Sequence, residues 1–305
     1  MSNYPKQVSI VEVGARDGLQ NEASVIELPV KLDFINGLLR AGLRRIEAGS
    51  FVSPKWVPQM ADSADVFKGL TNGSGVTFSA LTPNEKGMLA AIDAGVDEVA
   101  VFAAASESFS QRNINCSIEQ SLERFEPVFT LARQHNLQVR GYVSCVMGCP
   151  YEGDINPNAV LAVSQALLDK GCYEISLGDT IGTGTPGQTE RLLSTLLTTI
   201  PATNLAVHFH DTYGQALANI LVALQHGISV IDAAAGGLGG CPYAAGASGN
   251  VATEDVVYML NGMGIHSGVD LDALVATSTQ IFNHLNREPA SRTMRALLAR
   301  HHNMF

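Results

Sequence analysis

Two short stretches of this sequence hold residue types and spacings that could do chemistry: His208-Phe209-His210, and Arg16-Asp17. The run Leu205-Ala206-Val207-His208-Phe209-His210 is strand-like, and residues two apart on a strand project from the same face. Both imidazoles can therefore reach one cation, whereas a lone histidine is more often a core or surface residue. His135, His226, His266, His284, His301 and His302 fall in helical patterns or tails and read as structural or solvated. Two imidazoles completed by carboxylate and carbonyl oxygens suit Mg2+ or Mn2+ with waters retained. Zinc also accepts imidazole, but a zinc hydrolase calls for a third histidine on a neighbouring strand end. The ends of the first, second, fifth and sixth strands offer none.

Asp17 is the natural oxygen ligand across from the histidines. Arg16 beside it supplies a permanent cation that can meet a developing enolate or carboxylate oxygen. The competing reading is a surface Arg-Asp pair, which would contribute little. Glu47 ends an apolar run, so its carboxylate must be paired if it is buried, and Arg16 is an available partner. The segment from Gly236 to Asn250 contains six glycines and no regular pattern, which reads either as a lid over a site or as a plain flexible connection. Cys241 at its centre is then either a proton donor and acceptor in a closed site or an exposed, oxidisable thiol.

Something must bring these residues together. Strand-like runs at Val8–Val13, Arg45–Ala48, Val76–Ala80, Glu98–Phe102, Gln138–Val143, Tyr173–Leu177, Leu205–His210 and Val230–Ala233 alternate with helical patterns. The helical patterns include Val30–Ala41, Lys86–Ala94, Ile118–His135, Pro157–Lys170, Gly187–Thr199 and Tyr213–His226, several followed by a capping glycine. Eight such units predict an α/β fold, a closed (β/α)8 TIM barrel. The barrel is expected to run from about residue 8 to 265 within a single catalytic domain spanning 1–305. Helices at Leu271–Leu285 and Ser291–Arg300 should pack outside it. An open doubly wound sheet is the alternative, but Gly14-Ala15-Arg16-Asp17-Gly18 lacks the phosphate-binding fingerprint that fold would carry. In a barrel, polar residues at the C-terminal strand ends share one site. Glu12, Asp17, Glu47, Tyr142, Ser144, Asp179, Thr180, His208, His210 and Asn250 all lie at or just beyond such ends.

Bulk properties narrow the class. A length of 305 residues, 46% hydrophobic and 16% charged, allows a large core. The net charge of −10 argues against a nucleic-acid partner while leaving room for an anionic small ligand. No apolar run has the length a membrane helix requires, and Met1–Gln7 has no targeting pattern, so a cytoplasmic protein is expected. Five irregularly spaced cysteines read as reduced thiols.

Several unbroken blocks resemble the 3-hydroxy-3-methylglutaryl-CoA lyase family. They are Val11-Glu12-Val13-Gly14-Ala15-Arg16-Asp17-Gly18-Leu19-Gln20-Asn21-Glu22, Ser50-Phe51-Val52-Ser53-Pro54-Lys55-Trp56-Val57-Pro58-Gln59, Gly141-Tyr142-Val143-Ser144-Cys145, Ser176-Leu177-Gly178-Asp179-Thr180-Ile181-Gly182, His208-Phe209-His210-Asp211-Thr212-Tyr213-Gly214-Gln215-Ala216-Leu217 and Gly237-Leu238-Gly239-Gly240-Cys241-Pro242-Tyr243. The resemblance runs from about Val8 to Gly268. It implies a TIM barrel that cleaves 3-hydroxy-3-methylglutaryl-CoA to acetyl-CoA and acetoacetate, a step of leucine degradation and ketone-body formation. It also implies Mg2+ or Mn2+ held by Asp17, His208, His210 and Asn250, with Arg16 at the enolate oxygen, Glu47 supporting Arg16 and Cys241 on a catalytic loop. The acyl-CoA is expected to meet Arg16, Gln20, Asn21, Lys55, Tyr142, Ser144 and Thr180. By resemblance alone, the protein is expected to be a homodimer.

The implied chemistry is a retro-Claisen cleavage. A cation favours the alkoxide of the tertiary hydroxyl, which collapses to a ketone and expels the acetyl-CoA enolate. The proton for the enolate carbon is left open among His208, Cys241 and water. Two positions depart from the family pattern. Ala23 stands where a CoA-binding lysine is expected, so that Lys55 or Arg112 would have to substitute, and Asn303-Met304-Phe305 offers no cysteine for a terminal disulfide. The rivals are a lyase for a related 3-hydroxyacyl-CoA, an acetyl-CoA/2-oxo acid condensing synthase (usually longer at its C-terminus) and a barrel that binds without catalysing.

Overall fold

The computed structural model describes residues 4–71, 73–240 and 249–302. Eight parallel strands close into a barrel: β1 (Ser9–Glu12), β2 (Arg45–Ser50), β3 (Thr77–Leu81), β4 (Glu98–Ala104), β5 (Gln138–Ser144), β6 (Cys172–Asp179), β7 (Leu205–Phe209) and β8 (Val230–Ala233). Each pairs with its sequence neighbour, and β8 returns to β1 in the register Ser9↔Val230 to Glu12↔Ala233. Strands covered on both sides read as nearly continuous apolar runs, and in β6 every residue but Tyr173 is buried. The expected (β/α)8 class is what the chain adopts, and helices follow beyond the last strand.

The helices around the barrel are α1 (Leu28–Arg40), α2 (Ser63–Gly69), α3 (Glu85–Ala94), α4 (Glu107–Ile114), α5 (Ile118–Arg124), α6 (Glu126–His135), α7 (Pro157–Lys170), α8 (Pro186–Leu196), α9 (Ala216–Gln225) and α10 (Thr253–Gly262). Then come α11 (Leu271–Leu285) and α12 (Arg292–His302). None of the described helices is long and apolar enough to cross a membrane.

Three differences from the sequence expectation have local causes. The run Ile118–His135 is two helices, because Pro127 brings no N–H to continue the turn and the chain restarts at Glu126. Helix α4 has no clear apolar stripe in Glu-Ser-Phe-Ser-Gln-Arg-Asn-Ile, and buries only Phe109 and Ser110. His210 lies just past β7, in an antiparallel bridge to Asn250 rather than in the barrel register.

The start of the glycine-rich segment is not a lid. Ala235, Gly236 and Gly237 form a buried turn, with Gly236 at φ 63°. A side chain at Gly236 would lie 2.0 Å from the Phe282 ring on α11, so only glycine allows that helix to close against the barrel. Glu254 of α10 secures the same turn, accepting the Gly236 N–H at 2.8 and 3.0 Å and the Ser278 hydroxyl from α11.

Beneath the turn, Glu12 is fully buried. Its Oε1 accepts the N–H groups of Gly14 and Ala235, each at 2.9 Å, and its Oε2 accepts the Thr253 hydroxyl at 2.6 Å. None of these donors is a cation, and burial pushes the carboxyl up from 4.5 to about 8. A carboxyl raised in the folded state favours folding fully only below its unfolded value, and that contribution is lost as pH rises through the folded one. For one proton the slope is about 1.4 kcal/mol per pH unit. Glu12→Gln, which mimics the protonated form, should therefore match the wild type near pH 5 and be several degrees higher in Tm near pH 8. A Tm difference that stays constant across this range would show that Glu12 is not protonated on folding.

Candidate active site

The C-terminal strand ends surround a cavity of about 1050 Å3. Arg16, Asp17, Gln20, Asn21, Tyr142, Ser144, Thr180, His208 and His210 all line it. Arg16 and Asp17 lie in the tight turn Gly14–Gly18 that follows β1, wound wider than an α-helix with Gly18 N–H bonded to Val13 O at 3.1 Å. A side chain at Gly18 would approach Leu238 Cβ at 2.7 Å, so the turn is held close to the segment after β8.

Arg16 is buried and doubly paired. Its Nε and Nη2 meet Glu47 Oε2 at 2.7 and 2.6 Å, and its Nη1 donates to Asp17 Oδ1 at 2.7 Å. Burial works against its charge, but Glu47 and Asp17 more than offset that, so the guanidinium stays protonated. Glu47 stands behind Arg16, outside the cavity lining, and its other oxygen is buried with no hydrogen-bond partner among the described residues. Burial raises its carboxyl pKa, and Arg16 opposes that rise. Replacing one partner of such a buried pair leaves the other uncompensated, which makes the pair a rigid device for aiming the guanidinium.

Asp17, His208 and His210 each offer one ligand atom, all within 4.8 Å of one another. His208 Nε2 faces Asp17 Oδ2 at 3.9 Å, too long for a hydrogen bond. Burial opposes ionisation of Asp17, yet Arg16 and the two imidazoles hold its carboxyl down to about 2. Burial and the neighbouring His208 push His210 down to about 4, so this ring is neutral, and its Nδ1 is buried without a hydrogen-bond partner among the described residues. An anionic carboxylate beside a neutral imidazole whose Nδ1 has no protein partner among the described residues is a donor set suited to a divalent cation. The chemistry of these three residues fits the Mg2+ or Mn2+ expected from the sequence.

Asn250 reaches the cluster from the far side of the 241–248 segment. Its Nδ2 donates to Asp17 Oδ2 at 2.8 Å and to Leu238 O at 3.1 Å, and its bridge to His210 holds it there. Gln20 donates to Asp17 Oδ1 at 3.2 Å, and Asn21 to Gly240 O at 3.3 Å. Thr180 Oγ1 accepts the Cys145 N–H at 2.8 Å, tying the ends of β5 and β6. Cys241 lies outside the described residues.

Lys55 departs from expectation. It is exposed and does not line the cavity; it lies in the turn Ser53-Pro54-Lys55-Trp56, closed by Trp56 N–H to Ser53 O at 2.9 Å, whose exposed Ser53 and Trp56 border the cavity. Arg112 and Arg124 occupy the wall, as does Ala23. Arg140, Glu174 and Asp232 lie outside the residues expected from the sequence. The signal was available: charged residues at inward positions of β5, β6 and β8 sit among Val139, Val143, Ile175, Ile231 and Ala233.

The family model described as HMGL-like matches residues 7–281. A protein of Pseudomonas aeruginosa named 3-hydroxy-3-isohexenylglutaryl-CoA/hydroxy-methylglutaryl-CoA lyase is 60% identical, covering 98% of this chain and 99% of its own. The crystal structure of hydroxymethylglutaryl-CoA lyase from Pseudomonas aeruginosa superposes with a TM-score of 0.96 at 60% identity, over 98% of this chain and 99% of that one. An HMG-CoA lyase from Acenitobacter baumannii, solved with coenzyme A and 3-methylmalate, gives a TM-score of 0.91 at 39% identity, covering 95% of each chain. With a barrel, a charged cluster at its mouth and a family match along nearly its whole length, this chain belongs to the HMGL-like family.

Proposed function

We propose that the protein is a divalent-cation-dependent carbon–carbon lyase that cleaves 3-hydroxy-3-methylglutaryl-CoA to acetyl-CoA and acetoacetate. One observation carries the reading: the Arg16 guanidinium, clamped by Glu47, sits directly against the Asp17–His208–His210 cluster in the wall of one cavity. The Pseudomonas relative named as a lyase of this thioester and the Acenitobacter complex with coenzyme A and a hydroxy dicarboxylic acid support it.

Asp17, His208 and His210, with Asn250 as a fourth donor, would hold Mg2+ or Mn2+. When bound, the cation supplies positive charge that favours transfer of the proton from the substrate's tertiary hydroxyl to water in the cavity. The hydroxyl oxygen becomes the ketone of acetoacetate as the bond between C2 and C3 breaks. That bonding pair moves to the acetyl-CoA fragment as an enolate, placing negative charge on the thioester oxygen. Arg16 meets this charge as it forms, and because Glu47 already fixes the guanidinium, little reorganisation accompanies the step. A proton then returns to C2 to give the acetyl methyl group. With His208 committed to the cation cluster, Cys241 is the side chain we propose for that transfer.

Gln20, Asn21, Tyr142, Ser144 and Thr180 line the wall beside Arg16 and are the proposed acyl contacts. Arg112 and Arg124 take the role expected of Lys55, offering permanent cations to the phosphates of the carrier. Val52, Leu81, Phe102 and Phe109 give the same cavity an apolar side, which favours a second substrate with a longer branched chain at C3, as the name of the Pseudomonas relative suggests. Assayed with Mg2+, the protein should release acetoacetate from 3-hydroxy-3-methylglutaryl-CoA and also cleave the 3-hydroxy-3-isohexenylglutaryl thioester. Condensation of acetyl-CoA with a 2-oxo acid and no thioester cleavage would make it a synthase. Cleavage of the methyl substrate alone would remove the second reading.

A further inference from the structure

Below the proposed cation cluster lies a buried network centred on Arg140, Glu174 and Asp232, none of which the proposed reaction uses. Arg140 of β5 crosses the barrel interior and is 1% exposed. Its Nη2 and Nη1 pair with Asp232 Oδ1 and Oδ2 of β8 at 2.7 and 2.9 Å, and its Nε donates to Glu174 of β6 at 2.6 Å. Nη1 also donates to the Tyr142 hydroxyl at 3.0 Å, and that hydroxyl reaches Glu47 Oε2 at 3.3 Å. Asp232 Oδ2 accepts the Ser176 hydroxyl at 2.8 Å and lies 3.2 Å from His208 Nδ1, the residue in register with it on β7.

This last contact decides the state of His208. A carboxylate oxygen clamped by a guanidinium cannot donate a hydrogen, so Nδ1 must carry the proton. With a bare Nδ1, two lone pairs would face each other at hydrogen-bond distance inside the barrel. A ring that binds the cation then does so through the lone pair on Nε2, the nitrogen that faces Asp17 Oδ2. We propose that Asp232, itself held by Arg140 and Ser176, is a positioning residue that fixes His208 as the Nδ1–H tautomer and so presents Nε2 to the cation cluster. The inference rests on the reading of His208 as a ligand. An outer partner of this kind orients the ring and raises its basicity, and losing one typically weakens metal binding about 10- to 100-fold.

The test combines Mn2+ affinity, followed by paramagnetic resonance of the free ion, with the tautomer seen directly in 15N-histidine-labelled protein loaded with Mg2+. His208 should show the Nδ1–H tautomer in the wild type. Mn2+ binding should weaken at least about 10-fold in Asp232→Ala, and less in Asp232→Asn, whose carbonyl can still accept Nδ1–H. An Nε2–H tautomer in the loaded wild type would overturn the proposal without any variant having to fold. So would unchanged Mn2+ affinity in a folded Asp232→Ala while His208→Ala loses it. If His208→Ala binds Mn2+ as the wild type does, the ligand reading itself fails, which is a separate outcome.

Discussion

Arg16→Gln should lower kcat by about 10²- to 10³-fold or more, with KM changed little, in an enzyme that remains folded. The size follows from where the guanidinium acts. Its partners Glu47 and Asp17 hold it in place before substrate arrives, so its interaction with the substrate strengthens only as the enolate oxygen gains charge. An interaction of that kind appears in kcat and hardly in ground-state binding. The fold survives because the Glu47 carboxyl, already pushed upward by burial, can take up a proton once its partner is gone. Arg16→Lys should recover only part of the rate, since an ammonium keeps the charge but cannot span Glu47 and Asp17 as a fork does. A near-normal kcat in folded Arg16→Gln would remove this residue from the chemistry.

Asp17→Asn should abolish turnover by a different route. The carboxylate is the anionic member of the cluster, held ionised at about 2 against the cost of burial by Arg16, His208 and His210. An amide keeps its shape and can still bond Arg16 weakly, but it removes the one full negative charge that a divalent cation would meet. Mn2+ affinity should fall by more than the roughly 10- to 100-fold typical of outer-shell changes, and excess metal should restore only part of the activity. Retention of wild-type Mn2+ affinity would transfer the anionic role elsewhere, Asp179 being another buried carboxyl that interacts with His208.

Much of this site was legible in the sequence because strands obey a simple geometry. A period of two puts His208 and His210 on one face, and the rule that barrel sites gather at C-terminal strand ends placed Arg16, Asp17, Glu47, Tyr142 and Thr180 in one region. The barrel followed from eight alternating units, since each strand is buried on both sides and keeps its apolar character. Helices α4 and α10 were harder to see. α4 lacks an apolar stripe, and α10 follows a glycine-rich segment with no regular pattern.

Other features depend on contacts that no local pattern encodes. Asp232 meets Arg140 across 92 residues of chain, and Glu12 meets Thr253 across 241. The exposed position of Lys55 depends on how a single turn packs, which composition does not express. The glycine-rich stretch was misread in part for the same reason. Gly236 is required by the Phe282 ring pressed against it, so this glycine marks close packing and not mobility.

The most direct measurement is acetoacetate release from 3-hydroxy-3-methylglutaryl-CoA by protein stripped of divalent cations and then titrated with Mg2+ or Mn2+. Asp17, His208 and His210 as a cation site at the mouth of a lyase barrel predict no turnover after stripping, with full recovery as metal is restored. Undiminished cleavage in excess chelator, with the protein verified free of metal, would contradict it.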